Sequence, residues 1–176
     1  MQLMREIDDS AKPYIEYLAG TAVPKVSPQV RHAVVQASLA VILGNLAQKR
    51  GYVGTELRCY LPLEPRRSSL VPDVAFVAKE RLSGLSDEER ERPHFAPDVA
   101  VEVRSDDDKR EYLEWKIAAY LRYGSILVLD VLPAERAIYA HTAQGVRDLH
   151  EGDRFSCADL PWLTFDVGEV FAVLDE

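Results

Sequence analysis

The stretch from Pro97 to Val131 constrains the fold more than any other part of this 176-residue chain. Val99, Val101 and Val103 alternate with Asp98, Ala100, Glu102 and Arg104. That is the period-two pattern of a strand with one apolar face. A helix is expected from about Asp106 to Tyr123, stopped by Gly124. Ile126 to Val131 is then apolar on both faces, as a central strand is. The helix follows its strand directly, so it can fold back over the sheet. Strands and helices alternate through the middle of the chain. The expected class is therefore α/β with an α+β flavour: one domain over residues 1–176, with a mixed sheet flanked by helices.

The flanking segments fill in the frame. Lys12 to Gly20 reads as a short helix or turn feeding a strand over Thr21 to Val26. Pro28 opens a helix to about Arg50, with Val30, Val34, Ala37, Val41 and Leu46 at helical spacing. Val53, Thr55, Leu57, Cys59 and Leu61 alternate with polar or small residues as one half-buried strand. Leu63 to Ser69 reads as a loop, and Val71 to Ala78 as a second strand. Ser86 with Glu89 resembles a capping box, so a short polar helix follows. Ala137 to His141 and Val146 to His150 read as a closing hairpin, and Leu163 to Val173 as a docked final segment.

Composition narrows the function classes. Hydrophobic residues are 47% and charged residues 28%, as in ordinary globular proteins. Cys59 and Cys157 lie far apart, which excludes a disulfide framework and a cysteine zinc site. His94, His141 and His150 have no metal-ligand spacing. Charged residues among the first ten leave no signal-peptide core, and no apolar run reaches spanning length, so a cytoplasmic protein is expected. The net charge of −8 argues against a broadly basic nucleic-acid surface. It leaves room for a nuclease, because metal-dependent nucleases concentrate carboxylates.

Three features carry chemistry. Pro72–Asp73 heads a strand, although such a pair also simply starts strands after loops. Strand geometry puts Asp98, Glu102 and Arg104 on one face and the valines on the other, with Glu102 about 7 Å from Arg104. A carboxylate within a β-branched strand needs a partner, since an unpaired buried charge is costly. Lys116 falls inside the apolar stripe of its helix, among Tyr112, Leu113, Ile117, Tyr120 and Tyr123, aimed towards Glu102. It is either a functional group or a lysine whose stem covers the core while its ammonium reaches water. Two carboxylates, Asp73 and Glu102, are the parts that hold Mg²⁺ or Mn²⁺. The lysine orients water or offsets charge developing on a phosphodiester.

The run PDVAFV, then PDVAVEVRSDDD, then EWKIAAYLRYGSILVLDV resembles the Uma-two restriction-endonuclease family, within the PD-(D/E)XK nuclease superfamily. The matching positions are Pro72, Asp73, Pro97, Asp98, Glu102, Val103, Ser105, Lys116, Tyr120 and Gly124. Tyr14, Glu16, Gly20, Ser27, Pro28 and His32 extend the likeness, which covers about Lys12 to Tyr139. The resemblance implies a restriction-endonuclease-like fold and a DNA substrate. It implies Asp73, Glu102 and Lys116 as catalytic residues, with Asp73 and Glu102 on the metal. Asp98, Arg104, Tyr120, His32 and Glu56 are supporting candidates, with His32 more often structural. The sequence departs from the superfamily pattern in two places. Arg104 stands where the superfamily places its lysine, and Asp106, Asp107 and Asp108 follow Ser105.

Two other classes stay open. One is a catalytically silent nucleic-acid-binding or interaction module on the same fold. The other is an enzyme acting on a small phosphorylated molecule, for which the sequence has no Gly-rich phosphate loop. Cutting both strands with one site per chain suggests a homodimer.

Overall fold

The computed structural model describes residues 14–25, 29–62, 68–105 and 109–175. The chain opens with a hairpin of β1 (Ile15–Leu18) and β2 (Thr21–Pro24). Then come helix α1 (Val30–Ala47), a 3₁₀ turn at Gln48–Arg50, and strands β3 (Gly51–Thr55), β4 (Cys59–Leu61), β5 (Ser68–Leu70) and β6 (Val74–Ala78). Two short helices, α2 (Lys79–Leu82) and α3 (Asp87–Glu91), lead to β7 (Val99–Val103). Helix α4 (Arg110–Arg122) connects β7 to β8 (Leu127–Leu132). The hairpin β9 (Ala137–Thr142) and β10 (Gly145–His150) follows, then β11 (Arg154–Cys157), β12 (Leu160–Asp166) and α5 (Val167–Phe171).

The main sheet has six strands in the order β10-β9-β8-β7-β6-β3. β7 and β8 pair in parallel, with α4 as the crossover, and the other neighbours pair antiparallel. A four-stranded sheet, β2-β1-β5-β4, and the β11-β12 ribbon complete the fold. This is the mixed sheet flanked by helices that the sequence led us to expect.

Both faces of the main sheet are covered, so every residue of β7 and β8 is buried. Val99, Val101, Val103, Leu127, Leu129 and Val131 pack in one core with Val35, Leu39, Leu43 and Ala47 of α1. On the other face, Ala100 and Val128 pack with Leu113, Ile117, Ala119 and Tyr120 of α4, and with Cys59, Leu61 and Leu70 of the smaller sheet. Glu102 shares the face of Ala100, so the polar positions of β7 lie under a roof rather than in water.

Several expectations are corrected. The described part of Lys12–Gly20 is strand β1 and a tight turn, not a helix. Ala19 and Gly20 both take positive φ, +45° and +80°, as a two-residue hairpin turn requires. The alternating run from Val53 to Leu61 is two strands in different sheets. Glu56 breaks it with φ +56°, sending the chain from β3 to β4. Ser68 and Ser69, read as loop, lie in β5. The stripe of α1 is out of phase: Val30 and Val41 are exposed, while Val35, Leu39, Leu43 and Ala47 face the sheet. A helix apolar on most sides reveals its period but not which side is covered. Residues Val30–Arg50 are also long and apolar enough, by length and composition, to cross a membrane, contrary to expectation. Pro28 and Asp106–Asp108 lie outside the described residues.

Candidate active site at the ends of two paired strands

Asp73 stands one residue before β6. Continuing the Val74↔Val101 register by one residue sets it beside Glu102 on β7. The backbone makes the join: the Asp73 N–H donates to the Val101 carbonyl at 2.9 Å. Asp73 Oδ2 in turn accepts the Val103 N–H at 2.7 Å. A loop aspartate is thereby tied to the end of the strand that carries the glutamate.

Around Asp73 the partners come from the rim of the fold. Lys25 Nζ, just past β2, lies 2.8 Å from Asp73 Oδ1, 3.0 Å from Glu56 Oε2 and 2.9 Å from the Val71 carbonyl. His32 Nε2, in the first turn of α1, lies 3.3 Å from Asp73 Oδ2. Gln36, one turn further on, donates to Glu56 Oε1 at 3.1 Å and to the Asp73 carbonyl at 2.9 Å. Burial pushes the Asp73 carboxyl up, but the His32 contact and the Lys25 charge more than reverse this. The group is held well below the usual carboxylate range.

Around Glu102 the partners are interior. Lys116 Nζ lies 2.6 Å from Glu102 Oε2 and 2.9 Å from Glu16 Oε1. The Tyr120 hydroxyl donates to Glu102 Oε1 at 2.7 Å. Glu16 also accepts from the Val71 N–H at 2.7 Å and the Tyr112 hydroxyl at 2.8 Å. Lys116 is only 4% exposed, so its ammonium does not snorkel to water. Burial pushes Glu102 up first. Lys116 opposes this, but Asp73 and Glu16 add to it, and the group reaches about 7. Burial pulls Lys116 down, yet Glu102 and Glu16 reverse that and keep it charged. Burial and the neighbouring Glu102 raise the Tyr120 hydroxyl, which stays a donor.

The structure thus gathers Asp73, Glu102, Lys116, Tyr120, His32 and Glu56. Asp98 and Arg104 are engaged elsewhere. Asp98 accepts from the Ala78 N–H at 2.7 Å and faces Arg81 at 3.3 Å, tying β7 to α2. Arg104 forms a two-pronged pair with Asp130 on β8. It also lines, with Arg31, His32 and Ser105, a cavity of about 240 Å³ beside the Asp73 group.

Sequence reasoning missed Lys25, Gln36 and Glu16 as parts of the site. Glu16 did carry a signal, its place among the positions of the Uma-two resemblance, but no role came with it. Lys25 and Gln36 carried none, because each is an ordinary polar residue whose partner is remote in sequence. Among the described residues, no three His, Cys, Asp or Glu side chains are gathered as a metal cage. Yet the oxygens of Asp73, Glu56 and Val71 already converge on one cation, the Lys25 ammonium. Carboxylate and carbonyl oxygens are the donors that hard divalent cations take, so this donor set fits such a metal.

A family model described as "Putative restriction endonuclease", Uma2, matches residues 1–168. The chain belongs to the Uma2 family. Its fold is also that of a solved protein from Anabaena variabilis, described as a putative nuclease belonging to DUF820. That likeness has a TM-score of 0.82, with 20% identity, and covers 93% of each chain. No curated protein matches.

Proposed function

We propose that this Uma2 protein is a metal-dependent endodeoxyribonuclease that hydrolyses DNA phosphodiester bonds in the cytoplasm as a homodimer. One observation carries the reading. Asp73 and Glu102, neighbours in strand register, each meet a lysine from a different part of the chain. In this reading Asp73 and Glu102 hold Mg²⁺ or Mn²⁺, and Lys116 positions the attacking water. A bound divalent cation acidifies water and offsets charge on the scissile phosphate. Glu16 anchors Lys116, and Tyr120 fixes the rotamer of Glu102, so neither group has to reorganise during reaction. Arg31 lines the neighbouring cavity and offers local positive charge for a phosphate, in a chain of net charge −8.

The test is cleavage of supercoiled plasmid with and without Mg²⁺. The parent is expected to nick or linearise DNA only with metal. Glu102→Gln should cut roughly a hundredfold more slowly, since the amide keeps the shape and removes a ligand charge. Metal-independent cutting, or equal rates for the two proteins, would reject the reading. A second reading, a silent nucleic-acid-binding module, draws on a specific observation: the oxygens of Asp73 and Glu102 already have lysine, tyrosine, histidine or backbone partners. DNA binding without cleavage of any DNA form would favour it.

A further inference from the structure

The Lys25 ammonium sits where a cation would. Its three contacts are to oxygens, at 2.8, 2.9 and 3.0 Å, and two of these belong to carboxylates. An ammonium has three hydrogens to give, so the three contacts use all of them. Gln36 holds Glu56 and the Asp73 backbone in place from α1. Glu56 itself keeps an unfavourable left-handed φ of +56° while doing this.

We propose that Lys25 is the built-in occupant of the Asp73 cation place, and that a divalent metal loads only by expelling its ammonium. This deepens the nuclease reading and rests on it for Asp73 as a metal-holding residue. Asp73 Oδ2 is tied to the Val103 N–H inside the sheet, and losing that bond would strand a buried donor. Oδ1 is held by Lys25. A metal on Oδ1, at about 2.0–2.6 Å, would stand only about 4 Å from the Lys25 nitrogen, and two positive charges that close repel strongly in a largely buried place. One of them must leave, and Lys25 is able to. It lies at the end of β2 with its side chain 17% exposed, beside a Glu56 that is 28% exposed. Lys116 is not able to leave: its side chain is 5% exposed and it is held by two buried glutamates. The two lysines of the site therefore differ in kind. Lys116 is fixed, and Lys25 exchanges with the metal.

Two measurements on the full chain test this, and neither depends on cleavage. The first is Mn²⁺ titration calorimetry of the parent, Lys25→Ala and Asp73→Asn. Lys25→Ala should bind Mn²⁺ at least about tenfold more tightly than the parent, because the competing charge is gone. Asp73→Asn should lose that binding. The second uses the unaltered protein, so it survives a variant that fails to fold. Lys25 is acetylated with and without Mn²⁺, and its modification is read by mass spectrometry against Lys116. Lys25 should become severalfold more reactive with metal, while Lys116 stays protected. If Mn²⁺ binds the parent through Asp73 but Lys25→Ala binds no tighter and Lys25 labelling is unchanged, the exchange is wrong and the metal reading survives. If neither the parent nor Lys25→Ala binds Mn²⁺, both fall.

Discussion

The two halves of the site both pair carboxylates with a lysine, yet their acids shift in opposite directions. In the Asp73 half, two carboxylates, Asp73 and Glu56, face Lys25, and His32 stands beside Asp73. In the Glu102 half, two carboxylates, Glu102 and Glu16, share the single cation Lys116. The first half reaches the rim, through side chains 12–28% exposed, whereas Glu16, Glu102 and Lys116 are each 8% exposed or less. Asp73 is accordingly held low and Glu102 is pushed up to about 7. Burial penalises both acids. What decides the sign is how many positive or donating partners each acid has, weighed against its carboxylate neighbours.

The comparison is broken most severely at Lys116. Lys116→Ala removes the one cation of the interior half and leaves two buried glutamates facing each other. A loss of about 3–5 kcal/mol in stability is expected by denaturant unfolding at neutral pH. A loss below about 1 kcal/mol would mean the interior pairs are not formed as described.

Glu102→Gln sharpens the contrast instead, because glutamine resembles the protonated acid. The pH dependence follows from the sign of the shift. A folded-state value raised above the unfolded one gives stability that is full below the ordinary glutamate range. That stability is lost as pH rises towards about 7. The parent should therefore lose on the order of 3 kcal/mol between about pH 4.5 and 7.5 through this group, and Glu102→Gln should not. Asp73 acts in the other direction. Its contribution is present above the ordinary aspartate range and fades as pH falls below it. Chemical unfolding of parent and variant across that range reads the Glu102 contribution, and parallel curves would contradict the raised value.

Tyr120→Phe removes one neutral donor from Glu102 and should cost about 1 kcal/mol, measured by the same unfolding. The smallest perturbation is Glu16→Gln, which gives the interior half one carboxylate per lysine. The Glu102 value should then fall towards that of an ordinary glutamate, as read by carbon-13 NMR of its carboxyl. No change would show that burial and Asp73 set it without Glu16.

These contrasts also explain what the sequence revealed. Local alternation identified β7, because valines at every second position leave little choice of structure, and a run apolar on both faces identified β8. Lys116 within an apolar stripe pointed to an interior partner, and the structure gives it Glu102 and Glu16. The chain break at Glu56 stayed hidden, since a glutamate in a left-handed turn looks like any polar residue of an alternating strand. The rim half was hidden for a related reason. Lys25, Gln36 and Glu56 meet only when the first hairpin, α1 and β3 converge, a tertiary event with no local pattern. Asp98 and Arg104 show the converse error. They shared Glu102's strand face by period, but Arg81 and Asp130 were nearer partners.

The most direct test of the account is anomalous scattering from crystals grown or soaked with Mn²⁺. The account predicts a manganese peak against Asp73 and Glu102, at the paired ends of β6 and β7. Ordered manganese found only at carboxylates away from Asp73, with Asp73 still bound to Lys25, would contradict it.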